Sequence, residues 1–363
     1  MAFDLEKLFV DVFAPRPGEV VTVMFDLPHG ELRDNDAWRD RRRMAEEWHS
    51  KIVEFSKTYG MSVNPIATYL ATGSHNADLP ARGTWGGREV RVEDIVARTT
   101  ILLAMPEYSA SAPLMCFSRK YPNLRVASMP GVARSMERTG LAADYARVAA
   151  LCARLAPLFR QADRIEVTFS TGHLCRFDVS NHGRVFVDDA VLHPNMGRDA
   201  DRLRNLPSGE VCTCPNEGKD SCTAGEIPVF WEGEVIVLVV DANQIIEVKG
   251  NSPVSNQKRQ EFASEPALRN IAEVAVGCNE SAVVTGNVLE DEKAGFHWAF
   301  GRSDFLGGTV GPAEFSSPEK VFHEDIVYAR GNPIVCKQLD FINQNGERKT
   351  AIIDGALVVE EER

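Results

Sequence analysis

Glu273, Glu292, His297, His323 and Asp325 fall within one stretch, EVAVGCNESAVVTGNVLEDEKAGFHWAFGRSDFLGGTVGPAEFSSPEKVFHED. Imidazole and carboxylate donors suit zinc, iron, cobalt or manganese, so this residue set is that expected of a site for one or two transition metals. In His323-x-Asp325 the spacing matters. A strand points residues two apart to the same face, where both could reach one ion. His297 lies in FHWAF, an apolar run that also reads as a strand. Its direction there would be shared by Ala299, with Trp298 and Phe300 on the other face. The plainer reading of the same residues is scattered surface groups of an acidic chain, with LEDEK at 289–293 a solvated turn.

Such residues need elements to position them, and the chain divides by texture. Residues 1–162 alternate strand-like runs with helical ones. VVTVMFD at 20–26, IATYLATG, TTILLAMPE and LRVASMPG each end near Gly or Pro or before a helical run. The alternation predicts an α/β domain with a mainly parallel sheet and helices on its faces. One helix opens at Asn35 or Asp36 and ends by Gly60, with Met44, Trp48, Ile52 and Phe55 as its buried stripe. Arg41 to Arg43, Glu46 and Glu47 read as its solvated face. A second helix, from about Leu141 to Arg160, buries Tyr145, Val148, Cys152, Leu155 and Phe159, with Pro157 able to kink or end it. No G-x-G-x-x-G follows the first strand, so a dinucleotide is not indicated.

Near Gln161 to Arg164 the texture changes to short strands: IEVTF, LCRFDV, RVFVDD, VIVLVV and QIIEVKG. The last two are joined at Asp241-Ala-Asn, a hairpin signal. A helix over about 257–275 would carry Glu273 near its end. Segments 204–226 and 303–318, rich in Pro, Gly and Ser, read as loops. Residues 163–363 are thus expected to form an α+β domain.

The chain has 363 residues and a formal net charge of −12. That length suits one or two domains with a sizeable core. The acidic balance argues against non-specific binding to nucleic acid or to anionic membranes. Met1 to Val10 lacks a basic region followed by an apolar stretch, and no run of about 18 apolar residues occurs, so a cytoplasmic location is expected. Of the eight cysteines, Cys212, Cys214 and Cys222 form the only cluster. C-x-C-x7-C lacks paired C-x-x-C spacing, so free thiols are expected there rather than a structural zinc.

Longer motifs carry a resemblance. TGNVLEDEKAGFHWAFG at 285–301 resembles the M29 metallopeptidase segment G-N-x-L-x-D-E-x-A followed by H-I-A-x-G. VFHEDIV at 321–327 is similar to that family's I-H-x-D segment, and NLPSGEV at 205–211 to its N-L-P-x-G-E-V. RVASMPGV at 125–132, followed by GLAADY at 140–145, resembles a recurring segment of its N-terminal domain. The motifs stand in the family's order and span most of the chain, which therefore resembles the aminopeptidase T-like superfamily.

The resemblance implies metal ligands at Glu210, Glu273, His297, His323 and Asp325, holding one or two divalent ions of zinc, cobalt, manganese or iron. Glu292 matches the acid five positions before the first histidine and is implied as the general base toward a metal-bound water. A peptide or small amide substrate and a homodimer are implied likewise, with the N-terminal domains helping to enclose the site. Lys293 and Arg302 could stabilise an oxyanion, although exposed surface charge is the simpler reading of both. Two departures bear on activity. Asp304 stands where characterised aminopeptidases of the group have a tyrosine, seven residues after the first histidine. The same scaffold also hosts 2,5-dihydroxypyridine dioxygenases, which use one ferrous ion and have a histidine in the region of Glu273. A metal-dependent hydrolase is therefore the first expectation. A mononuclear Fe(II) ring-cleaving dioxygenase is the alternative, and a non-catalytic metal-binding protein the third.

Overall fold

A computed structural model of the chain describes residues 3–196 and 201–359. Its fold is mixed α/β, and the chain forms two compact units. The first comprises residues 1–149, 188–208 and 280–283; the second comprises 150–187, 209–279 and 284–363.

The first unit is built on a largely parallel sheet. Val20–Leu27 lies between Ala67–Leu70 and Ile101–Ala104, with Arg125–Ser128 and then Leu203–Asn205 beyond the latter, all parallel. Arg82–Trp85 and Arg88–Arg91 extend the opposite edge in antiparallel pairing. The residues from Val21 to Asp26 are all buried, as a parallel strand covered on both faces requires. The helix Asp36–Ser56 begins where the Asn35 side chain accepts a hydrogen bond from the Trp38 amide at 2.8 Å. Its buried stripe holds Trp38, Met44, Trp48, Ile52 and Phe55. Arg41 departs from the solvated face expected for it. It is buried, its Nε donates to the Val132 carbonyl at 2.8 Å, and its guanidinium pairs with Glu107. The helix expected from Leu141 begins later, at Tyr145, and runs through Pro157 to Gln161.

The second unit holds two largely antiparallel sheets. The smaller, five-stranded sheet has the order β1-β2-β3-β4-β5, with β1 Val185–Asp188, β2 Glu210–Thr213, β3 Ile271–Gly277, β4 Phe296–Gly301 and β5 His323–Val327. The larger sheet includes the hairpin Glu234–Asp241 to Gln244–Lys249. Ala242 and Asn243 at its tip have φ of 45° and 64°, the left-handed pair of a type I′ turn. Phe296 and Phe300 of β4 stack the smaller sheet on the larger, against Phe169, Phe177 and Trp231. Trp298 shares their face and donates from Nε1 to the Tyr328 hydroxyl at 3.0 Å, which in turn donates to the Pro228 carbonyl.

Two expectations are corrected here. The helix placed over 257–275 is instead Pro253–Ser264, followed by a short 3-10 turn Pro266–Arg269. Glu273 belongs to strand β3. Pro266 cannot continue a helix, and the seven residues Ile271–Gly277 are all buried, which suits an inner strand covered on both faces. The segment 204–226 is also not all loop, since β2 lies inside it and carries Glu210. Among the described residues, no helix is long and apolar enough to cross a membrane.

Candidate metal centre

The register of four strands builds the site. Glu273 on β3 pairs with Ala299 on β4, and Ala299 pairs with Asp325 on β5. Ala275 pairs with Cys212 and with His297, Gly277 with Glu210, and Gly301 with His323. Paired residues share a face, and so do residues two apart along a strand. Glu210, Glu273, His297, His323 and Asp325 therefore emerge on one face, opposite the aromatic face of β4. Between them stand the small residues Ala275, Gly277, Ala299 and Gly301.

Glu292 reaches this face from the connection between β3 and β4. Its short helix, Val288–Asp291, starts where the Asn287 side chain accepts from the Leu289 amide at 3.2 Å. Asp291 holds the preceding turn by accepting from the Thr285 and Gly286 amides at 2.7 and 2.9 Å. The backbone of Glu292 and Lys293 lies directly on Gly277, where a Cβ would stand 2.3 Å from the Glu292 carbonyl oxygen. Gly277 is thus required for close approach of two backbones. LEDEK is not a solvated turn, because Leu289, Glu290, Asp291 and Lys293 are all buried.

All six side chains singled out in the sequence meet here, in two groups. Glu210, Glu292 and His297 offer one ligand atom each within 4.8 Å of one another, as do Glu273, His323 and Asp325. Glu273 links the groups, with Oε1 at 3.8 Å from His297 Nε2 and Oε2 at 3.2 Å from His323 Nε2. His297 Nε2 is also 3.5 Å from Glu210 Oε2, and His323 Nε2 is 3.5 Å from Asp325 Oδ1.

Both imidazoles are held from behind. His297 Nδ1 faces the Gly295 carbonyl at 3.3 Å, and His323 Nδ1 faces the Arg302 carbonyl at 2.7 Å. A carbonyl can only accept, so each Nδ1 carries a proton and Nε2 is turned toward the acids, the arrangement used by metal-bound histidine. His297 is fully buried and, among the described residues, its Nε2 has no hydrogen-bond partner. A buried nitrogen of this kind normally finds a partner, and a cation supplies one. With two imidazoles and four carboxylates around it, the site fits a divalent metal.

From the sequence, Lys293 is offered as an oxyanion stabiliser, with exposed surface charge as the simpler reading. Against its reading as exposed charge, it is fully buried, and Nζ lies 2.6 Å from both Glu210 Oε1 and Glu292 Oε1. The available signal was its place next to Glu292 in the motif. Arg302 turns elsewhere, pairing with Asp304 at 2.6 Å, so Asp304 at the family's tyrosine position is bound up in an ion pair. The neighbouring Phe305 ring lies 5.1 Å from the His323 ring.

Charges set the protonation states. Burial raises the Glu292 carboxyl well above its ordinary range, reinforced by Glu210 and Asp325 and opposed by Lys293. Burial alone would lower His323, but Asp325 and Glu273 outweigh it and raise the imidazole well above its usual value. Burial likewise acts to raise Asp325, yet His323, His297 and Lys293 prevail and lower it. Cys212 borders the acids from β2. Burial, with Glu273 and Glu210 adding to it, pushes its thiol far up, so it remains neutral. Cys214 is buried and Cys222 exposed.

No family model matches the chain, and no curated protein matches it. Solved structures do. 2,5-Dihydroxypyridine dioxygenase from Pseudomonas putida KT2440 is similar at a TM-score of 0.63 and 15% identity, over 99% of this chain and 98% of that one. AmpT from Thermus thermophilus is similar at a TM-score of 0.53 and 16% identity, over 98% of each chain. The chain has the fold of these two proteins over its whole length, in agreement with the resemblance of its motifs to the aminopeptidase T-like superfamily.

Proposed function

We propose that this chain is a metal-dependent hydrolase that cleaves an amide bond, most simply the N-terminal bond of a peptide. Glu210, Glu273, His297, His323 and Asp325 are the donors available to hold one or two ions. When bound, a divalent ion polarises a carbonyl and lowers the pKa of a water. The observation that carries the reading is Glu292. Its carboxylate belongs to the same group of donors as His297 and Glu210, yet it comes from a separate connection and is fixed through Oε1 by Lys293. One oxygen is thereby anchored, and the other can address a water. Glu292 accepts a proton from that water as the water oxygen bonds to the amide carbon. It returns the proton to the amine nitrogen as the C–N bond breaks. Burial raises the pKa of this carboxyl, which favours its holding the proton between the two transfers.

A second reading has its own support. His297, His323 and Asp325 on one face offer the two histidines and one carboxylate of a non-haem Fe(II) oxygenase, and the likeness to the dioxygenase spans 99% of this chain. Against it stand the additional carboxylates, above all Glu273 in the region where those dioxygenases have a histidine. The test is an activity screen of protein loaded separately with Zn(II), Co(II), Mn(II) and Fe(II), with and without oxygen. Amide cleavage that proceeds without oxygen supports the hydrolase. Turnover confined to Fe(II) and oxygen, on an aromatic ring and on no amide, supports the dioxygenase.

A further inference from the structure

We infer that the Lys293 ammonium occupies the place of a second metal cation, so that the site takes one ion per chain, on the side of Glu273, His323 and Asp325. The inference rests on the metal-binding reading above and adds its stoichiometry and the role of a lysine.

The two groups of donors would each suit a cation, but they are not alike. Glu273, His323 and Asp325 face one another and, among the described residues, no cationic side chain other than His323 is at hydrogen-bond distance. Glu210 and Glu292 already have a cation between them. Lys293 Nζ stands 2.6 Å from an oxygen of each, and its side chain has no solvent exposure. A surface lysine could swing away to admit a metal. Lys293 is held more tightly. Its carbonyl accepts from the Asn279 amide at 3.0 Å, and its backbone rests on Gly277, where even a Cβ would not fit. The lysine thus issues from a fixed point and ends between the two carboxylates.

An ammonium in this position does what a metal would do for Glu210 and Glu292: it balances their charge and orients them. Like charge then disfavours a divalent ion among Glu210, Glu292 and His297, and the buried setting strengthens the repulsion. His297 Nε2, 3.8 Å from Glu273 Oε1, stays beside the carboxylate that links the two groups. A point cation on a flexible stem gives no Lewis acid, so the lysine positions Glu292 and Glu210 rather than activating a carbonyl.

The test is metal binding, not activity. Wild-type protein, Lys293→Met and Lys293→Gln are stripped, titrated with Mn(II) and Zn(II), and assayed for bound metal per chain. Wild type is expected to bind one equivalent tightly. In the variants a second equivalent should tighten by on the order of 10³-fold, and it should disappear when Glu210→Gln is added. The melting temperature of each variant should then rise on addition of the second equivalent. Two tight equivalents in wild type would overturn the inference, as would folded variants that still bind only one. Wild type also decides the matter without any substitution. Its Mn(II) electron paramagnetic resonance spectrum should be the six-line signal of an isolated ion, and an exchange-coupled pair would refute the lysine's role. No bound metal in wild type would defeat this inference together with the metal reading. One bound ion with no amide cleavage would defeat only the hydrolase.

Discussion

His323 Nε2 stands 3.2 Å from Glu273 Oε2, across a strand, with Gly301 and Ala299 of β4 between their two backbones. The contact joins a proton carrier to an acid at the point where a metal would sit. In metal-free protein the acids hold His323 protonated to a higher pH than usual. A metal must displace that proton. Affinity for Mn(II) or Zn(II) should therefore rise with pH, by up to about tenfold per unit for each proton released, until the pH exceeds the raised value. Calorimetric titration in buffers of different ionisation enthalpy measures the proton count. Affinity that is flat between about pH 6 and pH 8 would show that no such proton is displaced.

Gly277→Ala tests how the connection is seated. The new methyl group would meet the Glu292 carbonyl oxygen at 2.3 Å and the Lys293 carbonyl carbon at 2.5 Å, both backbone atoms unable to swing aside. Unfolding in urea should show a loss of about 1–3 kcal/mol. Metal affinity should fall as well, since Glu292 and Lys293 are displaced together. A variant with wild-type stability and wild-type affinity would mean the connection is not held there.

Glu292→Gln tests the proton transfer. Glutamine keeps the shape and most of the hydrogen bonding but cannot take a proton as a carboxylate does. Metal content and substrate affinity should change little, while the catalytic rate constant falls about 10²–10⁴-fold, with no dependence on oxygen. If Glu292 only orients its neighbours, metal affinity should instead drop roughly 10–100-fold and the metal-saturated rate survive.

Part of this was legible in the sequence. FHWAF is an apolar run of strand length, so the strand bearing His297 follows from local pattern, and the shared face of His323 and Asp325 follows from their spacing. Glu273 was placed on a helix. AEVAV carries no alternation, because β3 is covered on both faces, and a continuous apolar run does not distinguish a buried strand from a helix. Lys293 and Arg41 were read as solvated because charged residues usually are. Their burial depends on partners distant in sequence, Glu210 for one and the Val132 carbonyl for the other. Glu210 itself was found only through the resemblance of NLPSGEV. In the first unit the strand runs end near Gly or Pro and fell where expected, but the return of residues 188–208 to that unit has no local signature.

The most direct measurement is the metal content of wild-type protein and of the double variant His323→Ala, Asp325→Ala, after loading and dialysis, by inductively coupled plasma mass spectrometry. Both residues come from β5 and face Glu273, so the double variant removes two donors of one group while leaving the aromatic face of the sheet untouched. The account predicts stoichiometric metal in wild type, loss of that metal in the double variant, and an unchanged far-ultraviolet circular dichroism spectrum. A double variant that keeps its full complement of metal would contradict it.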